Sequence, residues 1–175
     1  MARAFIGIGS NIEPAENVRA AIRALARQTR LVGISMVYLT DAVGHSEQPP
    51  YYNCVVEIET ETSPAEIKYG LLRNIESNLG RRRTEDKYAA RTIDLDLIVY
   101  DDLTIDAEGI KIPDPDILER PFLAIPLFEL APDMVLPGYG VRISEVAAKL
   151  PQEGMKPQND YTMLLREEII LKNGN

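Results

Sequence analysis

Residues 63–100 read SPAEIKYGLLRNIESNLGRRRTEDKYAARTIDLDLIVY. Ser63 and Glu66 are spaced as a capping box, with Pro64 at the first helical position. Ile67, Leu71, Ile75 and Leu79 then recur every four residues, the stripe of a helix lying on a sheet, and Gly80 supplies the stop. A polar connection over 81–91 leads to Thr92–Tyr100, where Ile93, Leu95, Leu97 and Val99 alternate toward a core as in a strand. The segment therefore predicts a helix, a charged loop and a strand.

Upstream, Arg3 to Gly9 sets Ala4, Ile6 and Ile8 against Phe5, Gly7 and Gly9, a short strand ending at Ser10-Asn11. Pro14 opens an amphipathic helix carrying Val18, Ile22 and Leu25 to about Gln28. Leu31–Leu39 alternates again, with Val32, Ile34, Met36 and Tyr38 on one side. Residues 40–51, with Gly44, Pro49 and Pro50, are too long for a tight hairpin and read as a functional loop. Tyr52–Thr60 follows as a strand with Cys54, Val56 and Ile58 on its apolar face. The order strand, helix, strand, strand, helix, strand predicts an α+β fold: a ferredoxin-like βαββαβ core sheet with helices on one face. A C-terminal extension of short strands and helices follows: strands near 103–105 and 110–112, a buried helix over 122–130 and another near 144–150. Residues 1–150 are expected to form one domain and 151–175 a tail that is helical or pairs with a partner.

The chain has 175 residues, 45% of them apolar, with a formal charge of −8. That is one domain's worth of core, and the charge has the wrong sign for holding a nucleic-acid backbone. The N-terminus lacks a secretory pattern and no stretch spans a bilayer, so the expectation is a soluble cytoplasmic protein without membrane partners. One cysteine, Cys54, and one histidine, His45, exclude an intrachain disulfide and a Cys- or His-rich metal centre. His45 reads as an exposed bystander in its loop.

Asp94 and Asp96 flank Leu95 in the strand, so their carboxylates share a face, roughly 6–7 Å apart at ~3.3 Å per residue. They either decorate a solvent-facing edge or hold a hard divalent cation, with Mg²⁺ the natural choice. Residues 81–91 carry Arg81, Arg82, Arg83, Lys87 and Arg91 against Glu85 and Asp86, three net positive charges in an acidic chain. Carboxylates for a metal beside guanidinium groups for phosphate oxygens suit a metal-bound polyphosphate; a solvated loop with internal ion pairs is the other reading. Tyr51, Tyr52 and Asn53 either stack and hydrogen-bond a flat heterocycle or simply pack. Phe122 reads first as core. Gly7 and Gly9 read as a bend or a close strand contact, since neither a Walker nor a Rossmann pattern is present.

The run Lys87-Tyr88-Ala89-Ala90-Arg91-Thr92-Ile93-Asp94-Leu95-Asp96-Leu97-Ile98 resembles the signature of the 6-hydroxymethyl-7,8-dihydropterin pyrophosphokinase family. So do I-x-I-G-S-N at Ile6–Asn11, Tyr38-x-Thr40, Tyr51-x-Asn53, Ile75-Glu76 before Gly80-Arg81, and Arg120-x-Phe122 followed by the run to Pro132. The resemblance covers about residues 4–150. It implies ATP-dependent pyrophosphoryl transfer to a dihydropterin in folate biosynthesis, with release of AMP. By correspondence Asp94 and Asp96 hold two Mg²⁺ ions, and Arg83, Arg91 and Arg120 meet the phosphates. Arg81 and Glu76 lie close to the nucleotide. The pterin sits between Tyr51 and Phe122, read by Asn53 and by backbone near Thr40 and Val43. The enzyme is expected to act as a monomer or weak homo-oligomer.

Three positions depart from the family pattern: Asp114 stands where a histidine is common, Tyr88 where the loop ring is commonly Trp, and Thr84 where a basic residue is common. Asp114 should weaken phosphate binding unless Lys111 or another cation compensates. The alternative is a catalytically weak homologue that binds a pterin or a protein. A ferredoxin-like RNA-binding module is disfavoured by the negative charge and by the lack of an aromatic-rich strand motif.

Overall fold

A computed structural model of the chain describes residues 1–44, 47–86 and 89–172. His45, Lys87, Tyr88 and the last three tail residues, for which expectations are given above, lie outside the described residues.

The chain runs β1 (Ala2–Ser10), α1 (Pro14–Gln28), β2 (Arg30–Ile34), β3 (Tyr38–Thr40) and β4 (Tyr51–Thr60). A π-helical segment, Glu66–Leu72, continues directly into α2 (Arg73–Asn78), and β5 (Asp94–Tyr100) follows. A small hairpin, β6 (Ile105–Ala107) with β7 (Ile110–Ile112), precedes α3 (Pro121–Leu130) and α4 (Ile143–Lys149). The chain closes with β8 (Lys156–Pro157), α5 (Asn159–Leu165) and a π-helical turn, Arg166–Leu171. The result is a mixed α/β fold on an antiparallel sheet of order β5-β1-β4-β3-β8, with β2 also on β4.

Local chemistry sets the elements. The Ser63 and Glu66 side chains exchange the capping-box hydrogen bonds, with Ser63 N–H and Oγ donating to Glu66 and Glu66 N–H to Ser63 Oγ. At the far end Gly80 has φ +84°, Gly80 N–H donates to Ser77 O and Arg81 N–H to Glu76 O, a Schellman stop. The expected four-residue stripe is modified by the π-helical geometry, which buries Ile67, Leu72 and Ile75.

Two cores sandwich the sheet. On one face Ala4, Ile6 and Ile8 meet Val18, Ile22 and Leu25 of α1, with Ile67, Leu72 and Ile75, and Leu165 and Ile169 from the C-terminal segment. On the other, Phe5, Val55 and Val99 meet Ala124 and Leu127 of α3 and Ile143 of α4. The two helices between the core strands, α1 and the helical stretch 66–78, share one face as expected; α3, from the C-terminal extension, is apolar nearly all round and needs cover, and it takes the face that α1 leaves bare. A register shift opposite Phe5 and Ile6 puts Ile98 and Val99 both into the second core, so Val99 does not follow Leu95 and Leu97. The single strand expected over 31–39 is two short strands, and a second irregularity at Leu31–Gly33 leaves Val32 40% exposed.

Candidate active site

α3 covers only part of its face. Beyond it, β1, β4 and β5 end together, and a cleft of about 280 Å³ opens over Gly7, Gly9, Tyr51, Asn53, Asp94 and Asp96. The glycines make the hollow. A Cβ on Gly9 would lie 2.8 Å from Asn53 Oδ1, and one on Gly7 would lie 3.1 Å from Leu123 Cδ2. These glycines permit close approach, as expected from their setting in a strand.

One end of the cleft is aromatic and amide-rich. Tyr51 and Phe122 both line it, with Val43, and Asn53 Nδ2 donates to Thr40 Oγ1 at 2.7 Å. Phe122 is only half-buried and faces this space, so its plain core reading gives way. Arg120 places its guanidinium 5.7 Å from the Phe122 ring centroid and pairs with Asp116 at 3.2 Å.

The other end is charged. Arg81 donates to Asp94 Oδ1 at 2.8 Å and Arg91 to Asp94 Oδ2 at 2.7 Å. Behind them Glu76, 3% exposed, accepts from the Arg81 guanidinium, from Arg83 at 3.0 Å and from Leu95 N–H at 3.2 Å. The Schellman stop is what turns Arg81 back onto this carboxylate. Glu76, Arg81 and Arg83 stand behind the cleft lining, where Glu76 supports Arg81 and the start of β5.

Asp96 opens to the cleft while protein crowds its carboxylate. Burial, then the charges of Asp94 and Asp114, push its pKa up to about 7 against the pull of Arg81 and Arg91. Asp114 is set there by its own N–H, which donates to Ile98 O at the irregularity in β5, and it caps the short 3₁₀ turn Pro115–Leu118 by accepting from Asp116 N–H. Burial also raises the Asp114 pKa. Lys111, the proposed compensation, faces a different cavity beside Thr104 and Tyr139.

The cleft gathers Thr40, Val43, Tyr51, Asn53, Arg91, Asp94, Asp96, Arg120 and Phe122 from separate stretches of sequence. Reading the sequence missed Asp41, Asp116 and Leu123 as lining residues, and it missed Asn11 as a brace. Asn11 Nδ2 donates to Gln48 Oε1 and Pro49 O, its Oδ1 accepts from Arg91 N–H at 2.8 Å, and its own N–H donates to Arg91 O. One side chain thereby ties both site loops to β1; its only signal was its place in I-x-I-G-S-N.

A carboxylate pair with guanidinium groups beside it, facing aromatic rings across one cleft, defines a group-transfer enzyme built on an antiparallel α/β sheet. The family model of 7,8-dihydro-6-hydroxymethylpterin-pyrophosphokinase (HPPK) matches residues 5–132. The 2-amino-4-hydroxy-6-hydroxymethyldihydropteridine pyrophosphokinase of Haemophilus influenzae is 41% identical over 140 residues, covering 78% of this chain and 86% of that one. Its counterpart from Pseudomonas aeruginosa is 35% identical over 157 residues, 88% and 95% of the two chains. The crystal structure of Plasmodium falciparum HPPK-DHPS wild type with SDX-DHP is similar in fold, with a TM-score of 0.69 at 12% identity over 90% of this chain. This chain spans 47% of that longer one. The chain belongs to the HPPK family and is an ATP-dependent diphosphotransferase. Among the described residues no helix is long and apolar enough to cross a membrane.

Proposed function

We propose that the cleft moves the β,γ-pyrophosphoryl group of ATP onto 6-hydroxymethyl-7,8-dihydropterin, a cytoplasmic step of folate biosynthesis, by a monomer or weak homo-oligomer. The observation that carries this reading is the joining, in one cleft, of the Tyr51, Phe122 and Asn53 wall with the Asp94–Asp96 pair. The hydroxymethyl oxygen bonds to the β-phosphorus, and the bond from that phosphorus to the α,β-bridging oxygen breaks. AMP leaves with that electron pair, and the hydroxyl proton is released. We read the sheet's first passes as the ferredoxin-like βαββαβ unit, with residues 1–150 as the catalytic domain.

Asp94 and Asp96 suit Mg²⁺. Among the described residues no three carboxylate, His or Cys groups stand close enough to cage an ion unaided. Mg²⁺ characteristically takes one or two carboxylates and completes its shell with phosphate and water oxygens. When bound, two such ions would neutralise phosphate charge and lower the pKa of the attacking hydroxyl. Asp96, crowded by like charge, is the carboxylate with most to gain from a cation. Arg91, Arg81 and Arg83 would turn from Asp94 and Glu76 toward phosphate oxygens, joined by Arg120. Tyr51 and Phe122 would stack the pterin while Asn53 and backbone near Thr40 and Val43 read its pyrimidine edge. The 40–50 and 81–91 loops would exclude water, the competing acceptor.

Purified protein with ATP, the dihydropterin and Mg²⁺ should release AMP, and D94A or D96A should abolish that release; wild-type turnover in either variant overturns the assignment. One observation favours a second reading, a pterin binder weak in ATP use: Asp114 adds a third carboxylate beside the phosphate end. Calorimetry showing pterin binding without AMP release would select it.

A further inference from the structure

Consecutive backbone amides before β3 are held from opposite sides. Met36 N–H donates to Glu129 Oε2 of α3 at 2.9 Å, and Val37 N–H to Thr162 Oγ1 of α5 at 3.0 Å. Thr162 is fully buried, and its hydroxyl donates to Gln158 O at 2.7 Å while Gln158 N–H returns to Val37 O at 2.8 Å. β8 then pairs Lys156 with Leu39 and Pro157 with Tyr38. Without β8, the three-residue β3 would be a bare edge strand, a short ribbon with little of its own to fix it.

β3 and β4 together carry the proposed pterin wall. In their register Thr40 faces Tyr51, Leu39 faces Tyr52 and Tyr38 faces Asn53. On the reverse side of β4 the Tyr161 ring packs on Tyr52 with centroids 5.2 Å apart, and the Tyr161 hydroxyl donates to Ala15 O at 2.6 Å. Arg166 Nε donates to Ile34 O, and Glu168 pairs with Arg19 and Arg23, so the segment is anchored well away from the cleft.

We infer that the C-terminal segment 156–165 braces the substrate wall, and that Tyr161 and Thr162 are positioning residues for the pterin, acting through Tyr52 and through β3. This rests on the cleft being the pterin site. None of these residues touches the charged end of the cleft, so the effect should separate the two substrates. The test uses T162V, which keeps the side chain's shape and removes the hydroxyl, T162S, which restores it, and Y161L, which removes the ring behind Tyr52. Steady-state kinetics and pterin titration calorimetry, with thermal melts as the folding control, are run on each full-length protein.

T162V and Y161L should raise the pterin KM and Kd roughly three- to tenfold, the size expected for one buried hydrogen bond or packing contact. The ATP KM should stay within about twofold, below the ~1.4 kcal/mol that a tenfold change represents, and T162S should recover the wild-type pterin value. Equal losses for both substrates, or a lowered Tm with an unchanged pterin KM, overturns the brace. If T162V does not fold, Y161L and T162S decide by the same split. A wild-type protein that neither binds pterin nor releases AMP defeats the underlying site reading instead, a distinguishable result.

Discussion

Asp94 and Asp96 stand two residues apart on one face of β5, and among the described residues only Asp94 is paired, with Arg81 and Arg91 on its two oxygens. The two carboxylates should therefore respond oppositely to neutralisation. D94N loses two partly buried ion pairs and should lower stability by about 1–2 kcal/mol. D96N removes a charge that the fold disfavours and should raise the Tm of the ligand-free protein. Both variants should lose roughly a hundredfold or more in AMP formation if each carboxylate acts on the phosphoryl chemistry. Thermal melts beside an AMP assay check the pair; melting shifts of the same sign would show that Asp96 is not the strained partner.

The same asymmetry has a pH dependence. The Asp96 pKa is raised from 3.8 to about 7 in the folded chain, so the protonated carboxyl favours folding below the unfolded value. That contribution disappears as pH rises from about 4 through about 7. The Tm advantage of D96N over the parent should accordingly be small near pH 4–5 and largest above pH 7, measured in metal-free buffer. An advantage that is constant across this range would place the Asp96 titration elsewhere.

Glu76 carries a structural load that its chemistry as a surface-type residue conceals. It is nearly fully buried and accepts from Arg81, Arg83 and the Leu95 amide. Glu76→Ala leaves Arg81, itself 10% exposed, with Asp94 as its remaining ion-pair partner among the described residues. Breaking a buried pair from one side costs about 3–5 kcal/mol. Urea denaturation should show a loss of that size, larger than for Arg83→Ala, because Arg83 is 58% exposed.

Asp114 lies beside Asp96 in the cleft and caps the turn that follows. Asp114→Asn keeps an oxygen for the Asp116 amide while removing the charge. The ATP KM should fall by roughly three- to tenfold, about 0.7–1.4 kcal/mol of relieved repulsion, with the pterin KM unchanged. An unchanged ATP KM would mean that the phosphates never approach this carboxylate.

Much of the scaffold was legible because local signals and burial agreed. The Ser63–Glu66 box formed as spaced, Gly80 took the left-handed conformation that the helix stop requires, and β1 alternated as read. Legibility failed where the chain departs from a fixed period. The shift at Ile98 reverses Val99, and the irregularity at Leu31–Gly33 exposes Val32; neither leaves a residue-level mark. Apart from Glu129, α3 is apolar all round, so its pattern could not say which face of the sheet it covers. At the site, the carboxylate pair and the ring residues were legible from spacing and family likeness. The burial of Glu76 was not legible, because it depends on Arg81 being brought onto its carboxylate by the turn at Gly80. Asn11 was silent because its partners, Gln48 and Arg91, lie in two distant loops.

Gly9 gives the sharpest test of the cleft's geometry. A Cβ there would sit 2.8 Å from Asn53 Oδ1 and 3.6 Å from Tyr51 Cδ1, with the backbone of β1 fixed between β4 and β5. Gly9→Ala must therefore push the Asn53 amide aside, at the expense of its 2.7 Å bond to Thr40. Its backbone lies in an ordinary strand without a positive φ, so the substitution costs space rather than backbone conformation. The nearest atoms the added Cβ meets belong to Asn53 and Tyr51, whereas Asp94, in register with Gly9 on the other flank of β1, is not among them. The pterin KM should rise by about tenfold, equivalent to ~1.4 kcal/mol, while the ATP KM moves little and the Tm falls only slightly. Pterin calorimetry on the variant, beside ATP kinetics, reads this directly; a pterin affinity equal to the parent's would show that Asn53 does not contact the heterocycle.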